Sequence, residues 1–429
     1  MNEPCANCDA WPSTELMELT IHQGADTIGG NCVEVRHGRT RLLLDAGVPL
    51  PNSPDETVPA VVPRTLDLTE PLDALLLSHA HCDHFGLMDR LRPLPPVWLS
   101  KGTSQMLNAL RGFVRQGPNL KSVAVTVKEM RPTQLGDITV TSIPVDHSVH
   151  GALAFLLEAG GKRLLYTGDL RTHGRNREPL EPLFRAVGNR PLDAVLTEGT
   201  TLDRPHTEQK TELDLEQRLA GELKACPGLA LASFSAVNVE RFRTWIGACH
   251  AAGRILVLDP YAAYVLHILR REGMPSLTDT ARFRALELPV REFSQSRPNK
   301  TWRGLYDRQR LPLADLRQDP GRYAVVWRDR YLGDLFEGRM PAGSTRFYGY
   351  WQGYRELPRG KEVERSLEAA GVKTRAIHVG GHINAESLKA LLQRLNPVRI
   401  IPIHTRAAGI LDAEFANCVR LNNGQPLIL

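Results

Sequence analysis

The feature that most constrains this chain is a histidine-rich turn, SHAHCDHFG at residues 78–86, which directly follows the apolar run LDALLL. An apolar run of this length predicts a buried strand, so the turn stands at a strand's carboxyl end, where it can direct several side chains to one point. A solvated histidine loop is the alternative, but unpaired groups crowded into a cleft would repel or desolvate one another, whereas a divalent metal uses their lone pairs. The turn therefore predicts these metal ligands: His79, His81, Asp83 and His84.

Three further polar residues follow apolar runs later in the chain. They are His147 in SIPVDHS, Asp169 in LLYTGDL and His404 in RIIPIHT. Each of them alone would be read as an ordinary polar residue at the end of a strand. Together with the turn they supply enough imidazole and carboxylate groups for two metals that share one carboxylate.

Length and composition set the outer limits. A chain of 429 residues is long for one domain, so we expect two domains, or one large domain with an insertion. No apolar run approaches the roughly 18 residues that a membrane span needs, and the amino-terminal residues are polar and acidic, so we expect a cytoplasmic protein with no membrane segment. The net charge of +5 permits a polyanionic partner without requiring one.

The pattern of elements changes about halfway along the chain. The first part alternates short strand-like runs with turns, whereas from about Thr207 helices and strands alternate as parallel βαβ units do, which indicates an inserted doubly wound domain. Residues 280–358 look irregular and are rich in Arg, Pro and aromatic residues. We predict a first domain over residues 1–200, an inserted domain over 201–373 and a closing part of the first domain over 374–429.

The ligand pattern resembles a known family. SHAHCDH matches the HxHxDH motif of the metallo-β-lactamase superfamily, and His147, Asp169 and His404 fall in the order of the family's later ligands. The stretch GGNCVEV…LLLDAG is similar to the family's opening strands, with Asp45 as a buried support residue. The resemblance implies an αββα sandwich with a dinuclear metal site at one edge.

The insertion between Asp169 and His404 narrows the resemblance to the β-CASP nucleases, such as ribonuclease J and the cleavage-and-polyadenylation endonucleases. Their acidic motif A is matched by Glu198 and their motif B histidine by His382. Motif C is matched by His404 and is histidine in members that act mainly on RNA. The implied fold is α/β, a metallo-β-lactamase sandwich interrupted by an α/β β-CASP cap. The chain departs from ribonuclease J in having DHSVHGA for its HSIPD region and GGH for SGH.

The resemblance also implies which residues bind each metal and which take part in catalysis. His79, His81 and His147 would bind one metal, and Asp83, His84 and His404 the second, with Asp169 bridging them. Zinc is the expected metal and manganese the alternative. A water activated between the metals would attack phosphorus, with Asp83, Glu198 and His382 as the catalytic residues and His382, oriented by Glu198, as the acid. His378 could hold a substrate phosphate, or could simply be a polar residue that finishes a strand.

A basic segment, SRPNKTWRGLYDRQR, could line a channel for nucleic acid, because cations neutralise phosphates and aromatic rings stack on bases. Its candidate contact residues are Arg297, Lys300, Trp302 and Arg303. The alternative is a solvated loop whose aromatic residues pack inward. The aromatic stretch STRFYGYWQGYRE is expected to pack the cap against the first domain.

These observations predict a two-metal nuclease that hydrolyses single-stranded RNA in the groove between its domains, as an endonuclease, a 5′ exonuclease or both. A DNA nuclease of the same fold is one alternative. A hydrolase of a small ester or cyclic nucleotide is another, although such a substrate needs no groove between domains. A metal-binding scaffold without turnover is a third. The expected partner is single-stranded nucleic acid, and since similar proteins are commonly dimers, a homodimer is one expectation.

Overall fold

The computed structural model describes residues 14–50, 59–113, 117–204, 210–288 and 300–429. Within these residues the chain forms three β-sheets, two of which face each other while the third lies in the inserted segment. None of the helices described is both long and apolar enough to cross a bilayer.

The first sheet contains the opening strands. In spatial order they are β20 (Pro426–Ile428), β1 (Thr14–Gln23), β2 (Cys32–Gly38), β3 (Thr40–Leu44), β4 (Ala74–Leu76), β5 (Val97–Leu99) and β6 (Ala124–Thr126). The pair β2 and β3 is an antiparallel hairpin that turns at Gly38, whose φ of 59° favours glycine. Strands β3 to β6 run parallel, so their carboxyl ends meet at one edge of the sheet.

The second sheet carries the later site residues. Its strands, in spatial order, are β19 (Ile400–Pro402), β11 (Ala194–Thr197), β10 (Lys162–Tyr166), β9 (Leu153–Ala159), β8 (Ile138–Pro144) and β7 (Pro132–Leu135). The hairpin between β9 and β10 turns at Gly160 and Gly161, as the sequence predicts. Strand β19 pairs with β11 although more than 200 residues separate them, so the intervening chain is an insertion between neighbouring strands of one sheet.

The helices complete the layers. In chain order they are α1 (Cys82–Phe85), α2 (Lys101–Phe113), α3 (Glu181–Val187), α4 (Glu212–Ala225), α5 (Val239–Ala251), α6 (Pro260–Leu269), α7 (Lys300–Arg308), α8 (Leu313–Gln318), α9 (Tyr331–Asp334), α10 (Gly353–Glu356), α11 (Pro358–Ala369), α12 (Ala385–Leu395) and α13 (Gly409–Glu414). One apolar core fills the space between the two facing sheets. Helices α3, α12 and α13 cover the outer face of the second sheet, and α2 packs on the first, which gives the αββα order.

The third sheet is parallel throughout. Its strands, in spatial order, are β15 (Arg310–Leu311), β14 (Phe283–Leu286), β13 (Ile255–Leu258), β16 (Tyr323–Val326), β12 (Ala230–Ser233), β17 (Thr345–Tyr348) and β18 (Lys373–Ala376). This is the sheet of parallel βαβ units that the helix and strand alternation predicts. Because β18 pairs with β17, the chain leaves this sheet only after Ala376.

The expectation of an irregular segment over residues 280–358 is wrong. Residues 289–299 are not among the described residues. The rest of this segment contributes strands β14 to β17 to the third sheet. These strands are two to four residues long and mostly buried. A buried parallel strand of that length shows no alternation of polar and apolar residues, so periodicity cannot reveal it.

Candidate metal centre

The candidate ligands converge because four strands end at the same edge of the sandwich. His79, His81 and helix α1 with Asp83 and His84 follow β4, His147 follows β8, Asp169 follows β10 and His404 follows β19. The backbone of α1 is fixed by the loop after β3, since Ala46 N–H donates to the His84 carbonyl at 2.7 Å. Gly47 permits this approach, because an added Cβ would lie 1.6 Å from the carbonyl oxygen of Asp83.

Three imidazoles form the first group of candidate ligands. His81 Nδ1 lies 3.1 Å from His79 Nε2 and 3.1 Å from His147 Nε2. Burial lowers the pKa of His79 and of His147 well below the usual value, so both rings stay neutral and keep a lone pair. Neutral nitrogens that face one another at this spacing suit a single cation at their centre.

The second group combines imidazoles with carboxylates. Asp83 Oδ2 lies 3.2 Å from His404 Nε2 and 4.0 Å from His84 Nε2. Asp169 Oδ2 lies 3.2 Å from His84 Nε2 and 3.8 Å from His404 Nε2. The same oxygen lies 3.7 Å from the Nε2 atoms of His79 and His147. One carboxylate oxygen therefore stands between the two groups.

Buried atoms without well-aligned hydrogen bonds indicate that the groups suit cations. Among the described residues, both carboxylate oxygens of Asp169 and the Nε2 atom of His84 are buried without a well-aligned hydrogen bond, although Asp169 Oδ2 and His84 Nε2 lie 3.2 Å apart. A buried polar atom left unpaired costs about 1–3 kcal/mol, and more when it is charged. Divalent cations coordinated by these atoms would remove that cost, so the donor set fits two metal ions.

Asp45 supports the site from beneath. Its carboxylate accepts hydrogen bonds from Ser78 N, Ser78 Oγ and Tyr166 Oη, each at 2.7 Å. His84 Nδ1 donates to the same carboxylate at 2.7 Å, which turns His84 Nε2 toward Asp169. Asp45 is fully buried, so the supporting role that the family resemblance implies for it agrees with its position.

Two other ligand candidates are oriented in the same way. His404 Nδ1 lies 2.8 Å from Thr200 Oγ1, and His404 adopts a φ of 57°, a left-handed conformation that is uncommon for a residue with a side chain. His147 Nδ1 donates to the Gly381 carbonyl at 2.5 Å. In each ring the nitrogen that points away from the site is occupied, so Nε2 is directed into it.

Glu198 and His382 form a pair beside the metal groups. Glu198 is buried, and its carboxylate accepts from Leu170 N at 2.9 Å and from His382 Nδ1 at 2.9 Å. Burial alone would lower the pKa of His382, but the charges of Glu198 and Asp169 outweigh it and raise that pKa to about 9. His382 Nδ1 is 3.7 Å from Asp169 Oδ2, and its side chain is 22% exposed. The His382 ring therefore faces the cavity next to the candidate ligands.

The site opens into a cavity of about 740 Å³ between the sandwich and the inserted segment. His81, Asp83, Asp169 and His382 lie in its wall. His378 also lines it and donates from Nδ1 to the Gly349 carbonyl at 3.1 Å. The position of His378 is compatible with the expected contact to a substrate phosphate.

Sequence reasoning missed four other residues of the cavity wall: Arg204, Arg406, Trp351 and Tyr354. The two arginines had a signal, since Arg406 follows His404 by two residues and Arg204 follows Glu198 by six. Trp351 and Tyr354 belong to the stretch STRFYGYWQGYRE, whose Phe347 and Tyr348 are buried against other residues of the inserted segment. Trp351 and Tyr354 are exposed instead, so the expectation that the whole stretch serves packing is wrong.

The expectation that the basic segment lines a nucleic-acid channel is wrong for Trp302. Its side chain is fully buried among the rings of Phe113, Tyr264 and Tyr306, with centroids 5.3–5.6 Å away, so it cannot stack on a base. Burial of the apolar indole ring in the core is favourable, because it removes apolar surface from water. Arg303 is exposed on α7 outside the cavity wall. Arg297 lies outside the described residues, and the structure describes Lys300 only as the start of α7.

His150 and His173 are absent from the groups of close ligand atoms. His150 Nε2 pairs with Glu272 at 2.5 Å, and His173 Nε2 donates to the Gly380 carbonyl at 2.7 Å. Burial lowers the pKa of His173 to about 4, so its ring is neutral. Both residues therefore have other partners.

Comparison with known proteins agrees with the class that this fold and site define. Residues 40–230 match the model of a β-lactamase superfamily domain. A solved structure of a protein of unknown function from Enterococcus faecalis superposes with a TM-score of 0.75 over 96% of this chain and all of that chain, at 22% identity. The expected fold class, an α/β metallo-β-lactamase fold with an inserted domain, is confirmed.

Relatives of known name indicate which members of this class the chain resembles. The chain is 26% identical to ribonuclease J of Sinorhizobium meliloti over its whole length and 77% of the relative's. It is 25% identical to ribonuclease J of Mycolicibacterium smegmatis over 90% of this chain and 68% of the relative's. It is 20% identical to ribonuclease J of Pyrococcus abyssi over 92% of this chain and 91% of the relative's. The chain thus carries a β-lactamase superfamily domain and resembles ribonuclease J over most of its length, so the resemblance predicted from the motifs is confirmed.

Proposed function

We propose that this protein is a two-cation ribonuclease that hydrolyses phosphodiester bonds of single-stranded RNA in the cavity between the sandwich and the inserted domain. The observation that carries the proposal is the position of Asp169 Oδ2, which lies within 3.2–3.8 Å of ligand nitrogens from both groups. A carboxylate at this position would hold two cations close together, and such a pair would stabilise both the attacking and the leaving oxygen of an in-line phosphoryl displacement.

The ligand roles follow the two groups. His79, His81 and His147 would hold one cation, and Asp83, His84 and His404 the other, with Asp169 shared. Zinc suits these nitrogen and oxygen donors, and manganese is the alternative. When bound, the cations would supply Lewis acidity to the phosphoryl oxygens and lower the pKa of water from 15.7 to about 7.

His382 is proposed as the acid that protonates the departing oxygen. Glu198 holds its Nδ1 atom at 2.9 Å, which leaves Nε2 as the atom that delivers the proton. The pKa of about 9 in the cation-free site keeps this ring protonated near neutral pH, and nearby cations would lower that pKa toward the operating pH by repulsion. Glu198 therefore positions His382 and stabilises its charged form.

The wall of the cavity offers donors that suit a strand with a phosphate backbone. It is about 740 Å³ in volume and is bounded by both the sandwich and the inserted segment. Arg204, Arg406 and His378 in its wall offer donors for backbone phosphates. We extend the inserted domain, predicted over residues 201–373, to Ala376 so that it includes β18, and expect the RNA strand to lie between it and the sandwich.

The test uses RNA and DNA strands of one sequence, labelled at the 5′ or the 3′ end, incubated with zinc-loaded or manganese-loaded protein. We expect cleavage of RNA by the wild type and a loss of at least about 1,000-fold in Asp169→Ala, because both cations lose a shared ligand. Asp89→Ala, which changes an exposed acidic residue, is the matched control. Intact RNA after incubation, or equal cleavage by Asp169→Ala, would overturn the proposal, and equal DNA cleavage would remove its RNA preference.

A second comparison isolates the acid. His382→Gln should lower the rate on RNA by about 10²–10⁴-fold. On a phosphodiester with a p-nitrophenolate leaving group, which departs without a proton, the same variant should lose much less. Equal losses on the two substrates would contradict an acid role for His382.

A further inference from the structure

Trp351 and Tyr354 are unusually exposed for large aromatic residues. Their exposed fractions are 49% and 48%, and every other large apolar side chain described as exposed is aliphatic. Aromatic side chains contribute most when they are buried, so a pair left open beside a cavity indicates a binding surface more than a packing contact. We call Trp351 and Tyr354 the aromatic pair.

The local backbone presents the aromatic pair as a unit. Trp351 lies two residues before the start of α10 and Tyr354 lies within it, and their rings meet edge to face with centroids 5.3 Å apart. The Trp351 ring lies against Gly353, where an added Cβ would come within 2.1–2.4 Å of three ring carbons. A glycine at 353 thus lets the indole rest on the backbone, and this contact limits the orientations that the ring can adopt.

The aromatic pair belongs to the same cavity as the candidate metal ligands. Trp351, Gly353 and Tyr354 line it together with Asp83, Asp169 and His382. Tyr354 and Asp83 of α1 line the same cavity, where burial raises the pKa of the Tyr354 phenol and the charge of Asp83 raises it further. A chain bound with a phosphate at the ligands would therefore bring a neighbouring nucleotide to these rings.

We propose that the aromatic pair is a stacking platform for a nucleobase of the bound strand, next to the phosphate that is cleaved. The proposal rests on the proposed function, because it takes single-stranded RNA as the substrate. Every base has an aromatic face, so a platform of this kind holds a strand without selecting its sequence. It would supply the stacking contact that Trp302, buried in the core, cannot.

The platform is tested by binding and not by cleavage alone. Dye-labelled RNA strands are titrated with wild type and with Trp351→Ala, and fluorescence anisotropy gives Kd. One base at a time is replaced by an abasic sugar along the strand. We expect Trp351→Ala to weaken binding of intact RNA by on the order of 10- to 100-fold. At one position of the strand, removal of the base should weaken binding to the wild type by a similar factor. The same removal should weaken binding to Trp351→Ala by less than about 3-fold, because that variant already lacks the ring on which the base would stack.

Two variants complete the series. Trp351→Phe, which keeps an aromatic face, should recover most of the affinity. Leu213→Ala, which trims an exposed apolar residue on α4, should bind as the wild type does. Unchanged Kd in Trp351→Ala, or equal penalties for the abasic strand in wild type and variant, would overturn the platform. If RNA binds with the expected pattern but is never cleaved, the proposed function fails and the platform stands, so the two failures are distinguishable.

Discussion

At the scale of single residues, Asp45 shows how a residue that is not a ligand candidate can determine the site. It orders Ser78 and Tyr166 and directs His84, with four contacts of 2.7 Å. An asparagine at this position would have one carboxamide oxygen to accept these bonds and would place an N–H₂ group against donors. Removing such a supporting carboxylate typically lowers metal affinity by about 10- to 100-fold.

We therefore expect Asp45→Asn to weaken cation binding by about 10- to 100-fold and to lower the free energy of unfolding by about 3 kcal/mol, since buried donors lose their acceptor. Competition with a chelating dye measures the first quantity and urea unfolding the second. Asp89→Asn is the control at an exposed aspartate. Wild-type cation affinity in Asp45→Asn would show that His84 needs no orientation from beneath.

A second buried carboxylate predicts a pH dependence of stability. Burial alone would raise the pKa of Glu34, but hydrogen bonds from His22 and Arg41, and the charges of Arg41 and Arg36, lower it from 4.5 to about 2. A pKa that is depressed in the folded state gives a contribution that is complete above the unfolded value and is lost as the pH falls toward the folded one.

The shift corresponds to about 3 kcal/mol of stability that is present above pH ~5 and disappears progressively toward pH ~2. Urea unfolding at several pH values should show this decline in the wild type. Glu34→Gln should be less stable at pH 7 and should lose less stability over the same acid range. Parallel curves for the two proteins would contradict the role assigned to Glu34.

The candidate ligands could be predicted from sequence because each follows an apolar run that ends at the same sheet edge. Their orienting partners could not. Thr200 Oγ1 and the Gly381 carbonyl reach the rings of His404 and His147 from segments about 200 residues away or more. Nothing in the local sequence around Thr200 or Gly381 indicates such a contact, because the contact forms only when segments distant in sequence pack against each other.

At the scale of elements, the join between the loop after β3 and helix α1 controls the ligand turn. Gly30 N–H and Asn31 N–H both donate to the Asp83 carbonyl at 3.1 Å, and Gly47 packs against the same oxygen. A methyl group at residue 47 would overlap this backbone, which cannot swing away as a flexible side chain would.

Gly47→Ala should therefore displace α1 and lower RNA cleavage by at least about 100-fold, since misplacement of about 1 Å in an active site has effects of that size. Steady-state cleavage and cation titration measure the change. Gly112→Ala, in α2 with open space around it, is the matched control and should be neutral or stabilise the fold by up to about 1 kcal/mol. Normal activity in Gly47→Ala would mean that α1 is not held by this contact.

The elements themselves were predictable to different degrees. Helices α4, α5 and α6 and the hairpin of β9 and β10 follow clear periodic or turn signals in the sequence. Strands β14 to β17 have no such signal, because they are short and are stabilised by the parallel neighbours that bury them. Trp302 illustrates the same limit, since a basic flanking sequence suggests exposure while the fold buries its ring.

At the scale of the whole molecule, the two facing sheets bring four strand ends to one edge, and the insertion builds a wall opposite that edge. Strand β19 returns beside β11 and carries His404 to the ligands supplied by the first part of the chain. The site is therefore complete only when the closing segment has docked. This arrangement links folding of the sandwich to the closure of the candidate metal centre.

The central claim is that the converging side chains hold a pair of cations that share Asp169. The most direct measurement is the number of zinc or manganese ions bound per chain, by elemental analysis of protein dialysed against a slight excess of the metal, for wild type and Asp169→Asn. We predict about two ions per wild-type chain and fewer in the variant, with RNA cleavage falling in parallel. A wild-type chain that binds no ions, or a variant that keeps two with full activity, would contradict it.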